Sequence, residues 1–259
     1  MSGATGVRRE RAAARRGDVR DALTRLALAQ KPAARSAPAY SRYVNRRLGR
    51  VLAAWAYGRG LGPGRVTALS AVCTFTGVAV LALAPVAAAT GLVVCLLLVL
   101  GYALDSADGQ VARLTGSASG AGEWLDHVVD AVKVVALPLA VLVGLYRSGA
   151  VADPWLLVPV ANAVVGSVLF FAMMLTEQLR RAHGVVSSAA VDGRRSPWRS
   201  LLVLPTDYGV LCLSFLLYGA PGVFVVVLAV VTAGAAGFLA LALPRWFRDV
   251  GALDVPGRG

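Results

Sequence analysis

The sequence predicts an all-α polytopic membrane protein with six transmembrane helices, preceded by an interfacial amphipathic helix. Its 259 residues are 57% hydrophobic, with a mean hydropathy of +0.67, whereas soluble domains are about 45–50% apolar. Several apolar runs have the roughly 20 residues that a helix needs to cross a bilayer. Because no polar linker divides these runs, we predict a single membrane domain over residues 38–259. The basic segment 1–37 before it has no apolar core, and we expect a disordered cytoplasmic tail there.

The amphipathic helix is predicted over residues 41–57. Apolar residues recur at helical spacing at positions 44, 48, 51, 52 and 55, and arginines are interleaved with them. This pattern is typical of a helix that lies in the membrane interface. A soluble helix packed on the cytoplasmic face is the alternative. Glycines and a proline at positions 60–64 end the helix before the first span.

The six spans are predicted at residues 66–88, 91–112, 122–146, 154–176, 201–219 and 222–243. Three of the connections are short and together carry one basic residue, Arg147. Most other basic residues lie in the tail, in the 177–200 loop and near the end of the chain. The positive-inside rule therefore places both termini in the cytoplasm. The net charge of +12 indicates an anionic membrane surface, and not nucleic acid, as its partner. Residue usage favours a bacterial cell membrane.

Four aspartates lie at the predicted cytoplasmic ends of the second and third spans. Asp105 and Asp108 share one helix face, and Asp126 and Asp130 share a face of the next helix. Carboxylates near hydrocarbon are costly, and a group of them repels unless cations neutralise it. The short connection makes the two helices antiparallel neighbours, so we expect the acids to hold Mg²⁺ or Mn²⁺, and two ions fit four carboxylates. Helix capping would explain one or two of these acids but not four.

Small and basic residues beside the aspartates predict a flat, anionic ligand. Gly109 and Ala112 leave room for a group to approach the helix backbone. Arg113 supplies a permanently charged fork that suits phosphate. Metals, a basic fork and a flat slot together indicate a nucleoside diphosphate. Metal ions stabilise charge at phosphorus, and a spare carboxylate can take a proton from an incoming hydroxyl.

The aspartates belong to a longer pattern, D-x2-D-G-x2-A-R-x8-G-x3-D-x3-D, by which the chain resembles the CDP-alcohol phosphotransferases. Every fixed position is filled, by Asp105, Asp108, Gly109, Ala112, Arg113, Gly122, Asp126 and Asp130. So many fixed positions make a chance match very rare. The six-span layout and the preceding amphipathic helix extend the resemblance over most of residues 38–245.

The resemblance implies a reaction and a role for each aspartate. A CDP-linked alcohol, commonly CDP-diacylglycerol, gives its phosphoryl-alcohol group to an acceptor hydroxyl, and CMP leaves, as in phospholipid biosynthesis. By the family pattern, Asp105, Asp108 and Asp126 hold metal ions. Asp130 is the general base and also a metal ligand.

The resemblance further implies the nucleotide contacts and a homodimer. Gly109, Ala112 and Arg113 line the CDP site, and Gly122 permits a close approach near the metals. One departure concerns the segment before the first span, where many members have Pro-Asn followed by Thr. Here Gly64 replaces the Asn, which puts its contact with the nucleotide in doubt, whereas Thr67 keeps its place in the CDP site.

Other polar residues near the inner boundary have two interpretations each. Asp207 either helps to bind the acceptor or reaches water at the interface. Lys133 needs an anion or a cavity, and we expect it to contact the acceptor or a phosphate. His127 points about 100° away from Asp126 on a helix and is not expected to be a ligand. Five arginines either grip a phosphorylated acceptor or set the topology: Arg180, Arg181, Arg194, Arg195 and Arg199.

The sequence leaves the acceptor open among inositol, inositol phosphate, glycerol phosphate and serine. The arginines near the inner face favour inositol phosphate, and a water-soluble CDP-polyol is an alternative donor. A divalent-cation transporter is a competing function, but the outer halves of the first, fourth and sixth spans lack matching polar residues. A non-catalytic interaction protein is difficult to reconcile with an intact motif.

Overall fold

The computed structural model describes Thr24, Leu26, residues 38–185 and residues 206–254, and the secondary structure of these residues is helical. The main helices are α1 (Arg46–Gly58), α2 (Pro63–Leu83), α3 (Ala88–Thr115), α4 (Gly120–Ser148), α5 (Leu157–Ala182), α6 (Tyr208–Ser214) and α7 (Pro221–Gly251). A π-helical turn, Ser41–Asn45, leads into α1. Short 3-10 turns precede α5 (Asp153–Leu156), extend α6 (Phe215–Leu217) and follow α7 (Ala252–Asp254).

The all-α polytopic fold is confirmed. Within the described residues, five helical segments can cross a membrane by length and composition: α2, α3, α4, Asp153–Ala182 and α7. The predicted fifth span, 201–219, is described from residue 206 onward and contains a shorter apolar helix, Tyr208–Leu217. The chain is therefore a multi-pass membrane protein. Several helices extend beyond the predicted spans, and α7 continues to Gly251 although its prediction ends at residue 243.

Local residue types explain where the first span begins and ends. Pro63 is the first residue of α2, a position where the missing N–H of proline costs nothing. The helix ends at Leu83, and its C-cap Ala84 is extended because Pro85 follows and disfavours helical geometry in the residue before it. The prediction of 66–88 therefore placed this span three to five residues too late.

A tight turn joins α3 to α4 and makes them antiparallel neighbours. Gly116 caps α3 in the left-handed conformation, with φ of +64°, which glycine adopts without strain. Ser119 caps α4, and its hydroxyl accepts a hydrogen bond from the Gly122 N–H at 3.1 Å. This turn brings the C-terminal end of α3 and the N-terminal end of α4 to the same end of the molecule.

The amphipathic helix α1 packs on α3 through its small residues. A Cβ on Gly49 would lie 2.7 Å from the Ser106 hydroxyl, and Ala53 and Ala56 are fully buried. The large apolar residues that define the predicted face point away from the protein: Val44, Leu48, Val51 and Trp55 are exposed. This arrangement fits a helix whose apolar face meets lipid while its small face holds α3.

Helices α2 and α3 approach closely one turn before the aspartates. The Ser70 hydroxyl donates a hydrogen bond to the Gly101 carbonyl at 2.8 Å. A Cβ on Gly101 would overlap the Thr74 hydroxyl and lie 3.2 Å from the Ser70 carbonyl oxygen. Because small residues let helix backbones approach, Gly101 determines how near α2 lies to the motif on α3.

The other end of the bundle contains a close-packed apolar core. Its largest fully buried side chains come from α2, α3, α4, the α6 segment and α7: Leu81, Leu98, Leu145, Phe215, Tyr218 and Phe224. A second cluster lies between α1, α2 and α3, near the aspartates. It includes Leu26 of the predicted tail, whose side chain is buried.

We predict that Gly101→Ala lowers the thermal stability of the detergent-solubilised protein. The added methyl group must displace Thr74 and the Ser70 backbone, and such overpacking costs about 1–3 kcal/mol. Gly237→Ala on α7 is the matched control, because a Cβ there meets no atom within 4 Å, and we expect it to be neutral or slightly stabilising. Equal unfolding temperatures for the two variants would contradict the proposed close approach.

Candidate active site

The tight α3–α4 turn brings carboxylates of both helices together at one end of the bundle. The Lys133 ammonium lies 2.6 Å from Asp105 Oδ1 and 2.9 Å from Asp130 Oδ1. Asp105 belongs to α3, whereas Asp130 and Lys133 belong to α4. The predicted convergence of the two helix faces is therefore present for this pair, and a buried cation joins them.

Asp108 is tied to α2. It is buried, and its Oδ2 accepts a hydrogen bond from the Thr67 hydroxyl at 2.6 Å. Its Oδ1 accepts from the N–H of Gly109. Hydrogen bonds to both oxygens orient the carboxylate and stabilise its ionised form. Thr67 thus fixes an acidic side chain of the motif from a neighbouring helix.

Asp126 and Asp130 form a second group together with His127. One ligand atom of each residue lies within 4.8 Å of those of the other two. His127 was not expected to be a ligand, but this geometry makes its imidazole a further candidate ligand. Its Nε2 is also 3.6 Å from Glu123 Oε1. Asp105 and Asp108 do not belong to this group.

The residues present fit a divalent metal ion. Asp126 Oδ1 is buried and has no hydrogen-bond partner among the described residues. A carboxylate oxygen in that state is costly unless a cation or a donor satisfies it. Carboxylate oxygens are the ligands that Mg²⁺ and Mn²⁺ prefer, and an imidazole also suits Mn²⁺. We conclude that this end of α4 can hold an ion.

The predicted nucleotide side of α3 is open apart from one guanidinium. A Cβ on Gly109 would meet Arg113 Nη1 at 3.6 Å and nothing nearer. Arg113 itself is exposed and Ala112 half-buried. A Cβ on Gly122 would lie 3.3 Å from the Ser119 hydroxyl, so a side chain there would crowd the cap of α4. The CDP contacts assigned to Gly109, Ala112, Arg113, Gly122 and Thr67 stay predictions.

Asp207 is a structural residue at the start of α6. It is 1% exposed, so the expectation that it reaches water is wrong. Its Oδ1 accepts from the Gly209 N–H at 3.1 Å, and its Oδ2 accepts from the Tyr40 N–H at 2.7 Å. The carboxylate therefore ties α6 to the segment that leads into α1.

The arginines at the end of α5 pair with carboxylates on neighbouring helices. Arg181 forms ion pairs with Glu123 of α4 and with Glu177. Arg180 pairs with Asp249 of α7. Both arginines also line a cavity of about 260 Å³ that His127 borders. The other three candidate arginines (Arg194, Arg195 and Arg199) lie outside the described residues.

The sequence did not predict two features of the site. Lys133 was expected to need an anion, but the sequence did not name its partners, the carboxylates of Asp105 and Asp130. Its expected contact with the acceptor or a phosphate stays a prediction. The spacing of three residues between Asp130 and Lys133 was the available signal, because it places both on one helix face. The Thr67–Asp108 hydrogen bond had no local signal, because these residues are 41 positions apart.

The chain is similar to a known protein family. The family model for CDP-alcohol phosphatidyltransferase matches residues 62–242, well over half of the chain. The match begins just before α2 and ends within α7, and it includes the whole aspartate motif. Among curated proteins, none matches this sequence.

We predict that Thr67→Val weakens the binding of Mn²⁺ by about tenfold to hundredfold, the usual cost of losing a partner that orients a metal ligand. The substitution keeps the shape of the side chain but removes the hydroxyl that orients Asp108. Thr67→Ser retains the hydroxyl and should bind as the wild type does. Titration of the purified proteins with Mn²⁺ measures the effect, and thermal unfolding checks the fold. Unchanged binding by a folded Thr67→Val protein would remove Thr67 from the site.

Proposed function

The chain belongs to the CDP-alcohol phosphatidyltransferase family, and on this premise we propose that it transfers the phosphatidyl group of CDP-diacylglycerol to inositol phosphate. Family membership makes it a transferase of substituted phosphate groups that takes a CDP-alcohol donor and a hydroxyl acceptor. It also places the chain in phospholipid biosynthesis. Two parts of this proposal go beyond what family membership shows: the lipid donor and the phosphorylated acceptor.

The observation that carries the proposal is the convergence of motif carboxylates at one end of α3 and α4. Members of the family generally use a divalent metal. Here Asp105, Asp108, Asp126 and Asp130 would hold it, and the unpartnered Asp126 Oδ1 supports this assignment. A bound Mg²⁺ or Mn²⁺, and two ions where all four acids take part, would supply positive charge beside the pyrophosphate of the donor.

Asp130 is the proposed general base. Its side chain is 30% exposed, so an acceptor can reach it from the aqueous side. Asp130 takes the proton of the acceptor hydroxyl as that oxygen bonds to the phosphatidyl phosphorus. The bond between this phosphorus and the bridging oxygen breaks, and CMP leaves with the electron pair. Lys133, 2.9 Å from Asp130 Oδ1, orients the carboxylate.

The opposite face of the motif suits the nucleotide half of the donor. The backbone at Gly109 is uncovered except by Arg113, so a flat group can lie against α3 while the guanidinium binds its phosphate. The amide that many family members place at position 64 is absent here. Backbone and Thr67 contacts must then hold the nucleotide at the start of α2.

The preference for a phosphorylated acceptor is supported by the cavity beside His127. Arg180 and Arg181 line it, and a guanidinium binds phosphate oxygens in pairs. Both arginines are held by carboxylates, which keeps them in place near the site. Glycerol phosphate would suit the same guanidinium groups, whereas serine and unphosphorylated inositol have no phosphate for them to bind.

We further propose that the site faces the cytoplasm of a bacterial cell, with both termini on that side, and that the protein is a homodimer. The arginines of α1 and of the end of α5 lie at the same end of the bundle as the aspartates. The connections at the other end carry Arg147. This asymmetry supports the orientation by the positive-inside rule. We also propose that residues 38–259 form the membrane domain and that residues 1–37 are a tail, of which Leu26 packs against this domain.

We predict that Asp130→Asn lowers the rate of CMP release from CDP-diacylglycerol by about 10²–10⁴-fold, the usual contribution of a general base. The amide cannot take the acceptor proton. Asp153→Asn is the matched control, because Asp153 is exposed at the opposite end of the bundle and should retain full activity. Near-wild-type CMP release by Asp130→Asn would show that another group is the base.

We predict that, with CDP-diacylglycerol and Mg²⁺, the purified protein converts labelled inositol phosphate to lipid in preference to inositol, glycerol phosphate or serine. Arg181→Gln should raise the KM for inositol phosphate by about tenfold, as expected for the loss of one charge-assisted contact, without changing the KM for the donor. Arg147→Gln, at the opposite end, is the control. Preferential labelling from serine or free inositol would reject the phosphorylated acceptor.

A further inference from the structure

Lys133 is a buried cation in the middle of the proposed metal site. It is 6% exposed and is the one lysine within residues 38–185 and 206–254. Its ammonium contacts Asp105 on α3 and Asp130 on α4, at 2.6 and 2.9 Å. These are two of the four acids assigned to metal ions under the proposed function, on which this inference rests.

The position of the ammonium has an electrostatic consequence for the ion-free site. Four carboxylates close together at a membrane boundary repel one another, and removing one partner of a buried ion pair is strongly destabilising. Lys133 offsets one of the four negative charges and bridges the two helices. Lys133 therefore supplies positive charge between α3 and α4 that does not depend on a bound metal ion.

The same position has a cost for metal binding. A divalent ion that uses Asp105 Oδ1 or Asp130 Oδ1 must displace the ammonium or lie beside a like charge. Either event weakens the binding of the ion, because charges within a few ångströms interact strongly at a partly buried site. Asp126 Oδ1 has no such competitor and is unpartnered. The Asp126 side of the site should therefore accept an ion more readily than the side formed by Asp105 and Asp130.

We propose that Lys133 is an internal counter-cation that holds the ion-free site together and competes with divalent metal for Asp105 and Asp130. It lowers the affinity of the resting protein for an ion on that side. An ion enters there readily when an additional anion, such as the pyrophosphate of a CDP-alcohol, offsets the ammonium. Lys133 is in this sense a positioning residue and not a catalytic one.

The experiment measures Mn²⁺ binding to the full-length protein in detergent, without nucleotide, by electron paramagnetic resonance of the free ion. Lys133→Met removes the charge and keeps the length of the side chain. We expect it to bind Mn²⁺ at least tenfold more tightly than the wild type. Lys133→Arg keeps the charge and should bind about as weakly as the wild type. Unchanged or weaker binding by Lys133→Met would overturn the proposal.

Thermal unfolding provides a second readout that does not depend on turnover. Metal-free Lys133→Met should unfold at a lower temperature than the wild type, because its carboxylates are no longer compensated. Saturating Mn²⁺ should raise the unfolding temperature of the variant more than that of the wild type. If Lys133→Met cannot be purified without metal, Lys133→Gln, which is also neutral but polar, takes its place. If saturating Mn²⁺ raised the unfolding temperature of the neutral variant and of the wild type equally, the result would count against the proposal.

The outcomes separate this inference from the proposed function. If neither the wild type nor the neutral variant bound Mn²⁺, the metal site and the inference would both be rejected. A wild-type protein that binds Mn²⁺ and releases CMP, beside a neutral variant with the same Mn²⁺ affinity, would reject only the role of Lys133. If the neutral variant instead raised the KM for the CDP donor at unchanged Mn²⁺ affinity, Lys133 would be a phosphate ligand and the inference would fail.

Discussion

A carboxylate near hydrocarbon must be compensated by a cation or by hydrogen-bond donors, and this constraint organises the functional end of the protein. Asp105 and Asp130 are compensated by the same ammonium. Asp108 is compensated by the Thr67 hydroxyl of α2 and a backbone N–H. Thr67 of α2 and Lys133 of α4 each reach a carboxylate on α3, so these contacts also fix α2, α3 and α4 relative to one another. Among the described residues, Asp126 Oδ1 has no hydrogen-bond partner, and a cation there would compensate it.

Small residues make these contacts geometrically possible. Gly49 lets α1 lie directly on Ser106, in the middle of the motif helix, and Gly101 lets α2 approach α3 one turn before Asp105. With larger side chains at these positions, the helices would be held apart and the Thr67 hydroxyl could not reach Asp108. The protein therefore builds its site by close packing of backbones, beside an apolar cluster that includes Val66, Leu104 and Val111. Larger side chains form the core at the opposite end, where no ligand has to enter.

Patterns that depend on neighbouring residues were predictable, and contacts between distant residues were not. The helix faces that carry the aspartates, the antiparallel α3–α4 pair and the exposed apolar face of α1 all follow from helical spacing and a short turn. The proximity of a His127 ring nitrogen to Asp126 and Asp130 was not predicted, because a helical wheel gives the direction of Cβ but not the reach of a long side chain. The burial of Asp207 was not predicted because its partner, the N–H of Tyr40, is 167 positions away. No local sequence pattern predicts such a contact.

The sequence by itself determined the membrane class, the family and the identity of the motif acids, because length, hydropathy and the spacing of fixed residues are properties of short segments. Only the tertiary structure decided which donor or cation each acid receives: Thr67 for Asp108, Lys133 for Asp105 and Asp130, and backbone N–H groups for Asp207. The physical reason is that compensation of a buried charge is a matter of distance in space. Packing between helices sets that distance, and the order of residues along the chain does not.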